Sequence, residues 1–457
     1  MKNIFRKTVS CILAAAMLGT IPVFASAAET VDYKITDPYA GVEHLLGDDA
    51  NHYKTNLHTH STASDANEDL NTMIKGYYNE DFDVLGMSDH GVIGKEWNKR
   101  PSLIPLYLYQ YIIGNKVTPL TDEEYAGITD GTYPVAAGYQ RTGDRGMLCV
   151  PTGIELNMLT ITKSHVNSYF SDFGEGDIGF ENGFEYAVKN AEKAGGISII
   201  NHPGDWLGSN SDYSIATKEE NVRLFGDIFN KYKTCQGMEI FNDRDIAHGD
   251  RILWDSVLRY VIPHGERNVW AYANSDAHTV DRIDSSFMDF IMPECTVESV
   301  KETMMNGCFF SIGRYARAEL GHDFRGTGAY PVVTSIEVDD ENDIIRVRGK
   351  NADKIQWIAD GNIIVESTGK NDKGEIVSVI RLREHTDEIS CYVRFQLVGK
   401  GGLCCSQAFI CDAGNFSELI IEDTRTEAQK TADKVIYNLK SLRIFVIFKK
   451  LFDAIFK

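Results

Sequence analysis

The chain lacks an excess of positive charge: Lys and Arg total 46 against 66 Asp and Glu, a formal net charge of -20. That argues against general binding to long nucleic acid, because an acidic surface repels phosphates. An anionic substrate stays possible, since bound metals are often the largest local charges in a site. The chain also lacks a CxxC pair and any zinc-finger spacing. Beyond Cys11, its cysteines are scattered at 149, 235, 295, 308, 391, 404, 405 and 411. A structural thiolate site is therefore not expected, most cysteines read as small core residues, and their pairing stays open. A good membrane span is missing too. The apolar run Val9 to Phe24 is short and rich in small residues, and the apolar stretch after Leu442 is short and charged.

What is present fits a large globular protein. With 457 residues, 43% hydrophobic and 11% aromatic, the chain can build a real core. Length alone suggests roughly three domains, or one large barrel with additions. Lys2, Arg6 and Lys7, the apolar run, and Ala25-Ser26-Ala27 read as a signal peptide over 1–27. The mature protein is expected to be secreted or extracytoplasmic, with cell-surface association possible.

Short apolar runs end in polar residues at 54–60, 83–90, 148–156, 165–170, 197–203, 237–242 and 269–278. Helical patterns separate several of them. Leu70 to Tyr78 follows the N-cap Asp69, and Phe184 to Ala194 stops at Gly195-Gly196. Strands alternating with helices suggest parallel βα units whose strand ends share one face. The fold class expected is α/β: a barrel over 28–325, an insertion at 91–147 over its mouth, a small all-β sandwich-like domain over 331–415, and a C-terminal helix. Residues 424–457 form a basic amphipathic segment. It can pack on the protein or lie on a membrane surface as a peripheral contact.

The chemistry sits at the strand ends. His58 and His60, at i and i+2 on a strand, share a face and can chelate one ion. Asp276 and His278 repeat that geometry. Asp65, His90, Glu155, His165 and His202 lie between the two pairs. A lone histidine is more often a core or surface residue, but the joint pattern is specific. Mixed imidazole and carboxylate ligands suit Zn, Mn, Fe or Ni.

These residues, in this order, bring in a family. His58-Thr59-His60-Ser61-Thr62-Ala63-Ser64-Asp65, Ser88-Asp89-His90-Gly91, Gly153-Ile154-Glu155, His165, Asn201-His202-Pro203-Gly204 and Asn274-Ser275-Asp276-Ala277-His278 closely resemble the PHP (polymerase and histidinol phosphatase) domain. The resemblance spans about residues 50–320. It implies a distorted (β/α)7 barrel holding two or three divalent metal ions (Zn, Mn or Fe). Carried over by position, His58, His60, Glu155 and Asp276 would hold the first ion. Glu155, His165 and His202 would hold the second, and Asp65, His90 and His278 the third. Some members place a histidine just after the Asp65 position, where this chain has Ala66 and Asn67. Asn306-Gly307 and Ser311-Ile312-Gly313-Arg314, followed by a β domain, look like the secreted branch that includes carbaryl-hydrolase-like proteins.

The activity so implied is hydrolysis of a phosphomonoester or phosphodiester by a metal-bridged hydroxide. Nucleotides or short oligomers are the expected partners, and an exonuclease-type activity belongs to the same reading. Asp276 would orient or deprotonate the water, with His202 and His278 beside it chiefly as ligands. Arg100, Arg141, Arg145 and Arg244 are candidates for a phosphate clamp. His248 is a candidate acid or substrate contact, or a plain surface histidine. The alternatives are a carboxylic ester, amide or carbamate hydrolase on the same metals, and a non-catalytic envelope protein.

Overall fold

A computed structural model describes residues 31–102, 116–142, 145–158, 164–177, 183–208 and 212–440. The expected signal peptide and the basic segment 441–457 lie outside them, as does 103–115 of the expected insertion. Among the described residues the fold is mixed α/β, with three sheets. In chain order the strands run β1 (Lys34–Thr36), β2 (His52–Asn56), β3 (Val84–Leu85), β4 (Leu148–Cys149), β5 (Ile154–Leu156), β6 (Val166–Tyr169), β7 (Ile197–Ile200), β8 (Cys235–Asn242), β9 (Trp270–Asn274), β10 (Ser286–Ile291) and β11 (Phe309–Gly313). Then follow β12 (Val332–Asp339), β13 (Ile344–Lys350), β14 (Lys354–Ala359), β15 (Asn362–Ser367), β16 (Ile376–Arg381), β17 (Tyr392–Gly399), β18 (Gly402–Cys405) and β19 (Phe409–Asp412).

Among the described residues the expected distorted (β/α)7 barrel is not seen, and the sheets are not closed. One sheet runs β5-β6-β7-β8-β9, and β2, β3 and β4 belong to another. Among the described residues the isolated bridges His90↔Glu155 and Thr59↔Ala277 connect them. Two local causes are visible. The apolar run 148–156 does not form one strand: Thr152 takes a positive φ of 68°, so β4 pairs with β3 while β5 pairs with β6. In addition, β6 runs antiparallel to both β5 and β7. Only β7, β8 and β9 are parallel throughout their sheet. The two seams between the sheets run through residues that carry the expected ligands.

Helices cover these sheets as their patterns require. Leu70–Asn79 starts at Asp69, whose carboxylate accepts from the Leu70 N–H at 2.8 Å. Gly183–Lys193 ends before Gly195, which has a φ of +81°. Asp250–Gly265 buries Trp254, Val257, Leu258 and Val261 on one face. Within the expected insertion, Asp122–Asp130 is a helix with a full Thr121/Glu124 capping box.

The C-terminal strands do not hang apart. β12, β13 and β16 form a small sheet. Its Ser378 accepts from the Trp357 indole of β14 at 2.8 Å, so two sheets face each other locally. The second of these continues through β17 and β18 into β11, β10 and β2, across the expected boundary near 325–331. A buried ion pair reinforces the junction. Arg394 on β17 holds Asp255 of the helix Asp250–Gly265 at 2.7 and 2.8 Å, and the Tyr392 hydroxyl donates to the same carboxylate at 2.8 Å.

Candidate metal centre

Strand direction explains how the ligands meet. His58 and His60 follow β2, His90 follows β3, His202 follows β7, and Asp276 and His278 follow β9. All leave from C-terminal strand ends. Glu155 is the middle residue of β5. His165 precedes β6, and because β6 is reversed, its N-terminal end faces the same side. The two turns after the parallel strands hold unusual backbone. His202 has a φ of 24° and Asp276 of 46°, conformations that cost of order 1–3 kcal/mol each in non-glycine residues and persist only where the surroundings impose them. Gly204 follows His202 where no side chain fits: a Cβ there would stand 2.6 Å from Asp250 Oδ1.

Glu155 is the hub. Its carboxylate oxygens lie 3.3 Å from His58 Nε2, 3.1 Å from His60 Nε2, 3.2 Å from His90 Nδ1, 3.1 Å from His165 Nδ1 and 3.3 Å from His202 Nε2. Asp276 Oδ1 stands 3.3 Å from His58 Nε2 and 3.1 Å from His60 Nε2. On the more open side, Asp65 lies 3.3 Å from His278 Nε2 and 3.7 Å from His90 Nε2. His58, His60, His90, Glu155, His165 and His202 are at most 7% exposed. The side chains of Asp276, His278 and Asp65 are 17%, 31% and 41% exposed, so solvent reaches the centre past Asp65.

Divalent ions fit this donor set. Metal–ligand bonds near 2.0–2.2 Å place adjacent ligand atoms roughly 3.0–3.4 Å apart, the spacing seen around Glu155. Buried lone pairs converge without hydrogen-bond partners: His58 Nε2, His60 Nε2, His90 Nδ1 and Asp276 Oδ1. Several groups of three can hold an ion, among them His58, His60 and Glu155; His58, His202 and Asp276; His90, Glu155 and His165; and His60, Asp65 and His90. Carboxylates and imidazoles shift one another: burial would lower His58 and His60, but the carboxylates of Asp276 and Glu155 raise both well above the ordinary imidazole value, so a bound ion would displace protons from these rings. Burial would raise the carboxyls of Glu155 and Asp276, but the histidines around them hold both well below the usual range. Burial pushes His90 down to about 3, against the carboxylates of Glu155 and Asp65, so it stays neutral with its lone pair free.

A frame of uncharged and charged groups fixes these ligands. Asp89, next to His90, accepts from the Ser61 N–H at 2.7 Å and the Ser64 hydroxyl at 2.6 Å, folding the turn that brings Asp65 to His278. Asn201 donates to Glu155 Oε1 at 2.8 Å. Glu239 on β8, absent from the sequence-based set, accepts from His58 Nδ1 at 2.8 Å.

The expected phosphate contacts divide. Arg141 donates to the carbonyls of Tyr78 and Phe82 at 2.7 and 2.9 Å. Arg145 donates to those of His52 and Asp49 at 2.9 and 3.0 Å. Arg141 thus closes the end of the helix Leu70–Asn79 and Arg145 the start of β2, away from the candidate ligands, each guanidinium fork gathering backbone carbonyls. Arg244 instead pairs with Asp281, three residues beyond His278. Beside it Arg282 holds Asp243 at 2.8 Å. The His248 ring lies 6.0 Å from that of Tyr213, in the loop after β8.

No family model and no curated protein matches the chain. Among solved structures, it is similar to a two-domain protein from Bacteroides vulgatus containing a predicted PHP-like metal-dependent phosphoesterase: 13% identity, 82% of this chain and 98% of that one, TM-score 0.38. PsfC from Pseudomonas syringae shares 15% identity over 55% of this chain and 88% of its own, TM-score 0.32. The lesion-specific endonuclease PfuEndoQ from Pyrococcus furiosus shares 12% over 82% and 73%, TM-score 0.30. Likenesses this distant say nothing of activity here.

Proposed function

We propose that this chain is a PHP-type hydrolase that cleaves phosphomonoesters or phosphodiesters with two or three divalent ions. The observation that carries this reading is the convergence of five imidazoles on the buried carboxylate of Glu155. His58, His60, Glu155 and Asp276 would hold the innermost ion, Glu155, His165 and His202 a second, and Asp65, His90 and His278 an outer one. Bound ions would acidify a coordinated water and polarise the scissile phosphoryl group. The chain's own contribution is placement. Asp276, partly exposed beside His278, can accept a proton from an attacking water. Asp65 and His278 face the opening and meet the substrate side. Arg244 and Arg282 stand next to the Asp276–His278 turn, each paired with a carboxylate, Asp281 and Asp243, and an anionic group there would draw them from those pairs.

The acidic surface of the whole chain favours small or short substrates over long nucleic acid. A carboxylic ester, amide or carbamate could use the same ions, as the secreted branch named above suggests. The order of candidate ligands shared with the PHP domain is what favours phosphate. Para-nitrophenyl phosphate, bis-para-nitrophenyl phosphate and para-nitrophenyl acetate, tested on metal-reconstituted protein, separate the two. Phosphoester turnover should dominate and fall by at least about 100-fold in Asp276→Asn, the loss typical of a removed general base. Acetate preferred by orders of magnitude would overturn the phosphoesterase reading. Turnover unchanged in Asp276→Asn would overturn the site.

A further inference from the structure

We infer that Glu239 is a positioning residue for this centre: it sets the tautomer of His58 and pins the backbone of His202, tying together ligands of two ions. The inference rests on the metal-centre reading above. Glu239 lies on β8, every residue of which is buried, and is itself 0% exposed. A carboxylate placed there needs a hydrogen bond at each oxygen lone pair. Its partners supply them. Oε1 accepts from His58 Nδ1 at 2.8 Å and from the Asn274 amide at 3.0 Å. Oε2 accepts from the His202 backbone N–H at 3.1 Å and from the Asn242 amide at 2.8 Å.

The consequence for His58 is one of proton placement. Each Glu239 oxygen already accepts from an asparagine amide, so the contact with His58 calls for a proton on Nδ1, which turns Nε2 toward the ion site. That nitrogen faces Glu155 Oε1 and Asp276 Oδ1, each at 3.3 Å. The second bond acts on geometry. His202 holds its φ of 24° while its N–H is anchored to Glu239, which keeps the ring aimed at Glu155. Asn274 closes the network, since its Oδ1 accepts from the Leu57 N–H at 2.7 Å, one residue before His58. Glu239 touches no position where substrate could bind, so its effect passes through the two histidines.

Glu239→Gln tests this in the full-length protein. The amide puts a donor where only acceptors fit and frees His58 to take either tautomer. Zinc or manganese titrated calorimetrically into ion-free protein should bind about 10–100-fold more weakly than in the parent, the range seen when such outer partners are removed. The visible spectrum of the Co(II)-loaded variant should shift as well, while the circular dichroism of the ion-free proteins stays alike. Equal affinity and an unchanged cobalt spectrum would overturn the proposal. Should the Gln variant not fold, Glu239→Asp keeps the charge and withdraws it by one methylene. Weaker uptake there supports the role, and unchanged uptake sinks it. A parent protein that takes up no ion would instead overturn the metal-centre reading itself, a result the variants cannot mimic.

Discussion

Removing divalent ions should destabilise the whole fold, and most of all along the two seams where the sheets meet. Without an ion, the buried rings of His58, His60 and His90 are left against the carboxylates of Glu155 and Asp276 at 3.1–3.3 Å, with nothing but protons to balance their charge. An ion present at a thousand times its dissociation constant adds about 4.1 kcal/mol. A domain of 150–250 residues shifts about 2–4 °C per kcal/mol. Halving that for a chain twice as long gives about 4–8 °C per ion. Scanning calorimetry of chelated, dialysed and reloaded protein measures the shift. Hydrogen exchange locates it: the His60 N–H on Ala277 O, the Gly91 N–H on Glu155 O and the Asp276 N–H on His58 O should lose protection first. A change below about 2 °C between verified ion-free and reloaded protein, or deprotection confined to β12–β16, would refute the reasoning.

Three further outcomes follow from other parts of the molecule. Asp255→Ala leaves Arg394 charged and buried, so it should cost about 3–5 kcal/mol in denaturant unfolding and shift one common transition. Two separable transitions, of which only one moves, would mean that β12–β19 fold independently. His52 has Asp289 on one ring nitrogen at 2.8 Å and the Leu46 carbonyl on the other at 3.1 Å. Burial lowers its pKa, but the Asp289 carboxylate prevails and raises it. Its stabilising contribution is therefore complete below the unfolded value near 6.5 and is lost as pH climbs through the higher folded value; His52→Gln should flatten that slope in a pH series of unfolding midpoints. Finally, Arg141→Gln should lower stability with KM unchanged, whereas Arg244→Gln should raise KM for a phosphoester, and steady-state kinetics beside thermal melts would expose the opposite pattern.

Most of the candidate ligands were legible because they sit at the start or end of an apolar run, where a polar residue has no packing reason to sit; Asp65, in the polar stretch Ser61–Asp65, came only with the order of the family's motifs. Glu239 sits inside such a run, where Met238, Ile240 and Phe241 around it read as a buried strand and mask it. A carboxylate inside a run of that kind is itself a signal, since Glu is almost never fully buried unless paired. The helix Asp122–Asp130 had a comparable mark in Thr121 and Glu124, hidden by the Tyr- and Gly-rich surroundings. Strand direction is harder, because alternation of side chains is the same whichever way a strand points. The clue to β6 is length: nine residues separate Leu156 from Val166, fewer than a parallel crossover of a dozen or more needs. An antiparallel β6 was therefore forced, and it is this reversal that lets His165 approach Glu155 from the start of its strand while the histidines of β2, β3 and β7 approach from the ends of theirs. The two sheets touch through the bridges Thr59–Ala277 and His90–Glu155, beside the candidate ligands, so bound ions would tie the sheets together where their ladders are thinnest.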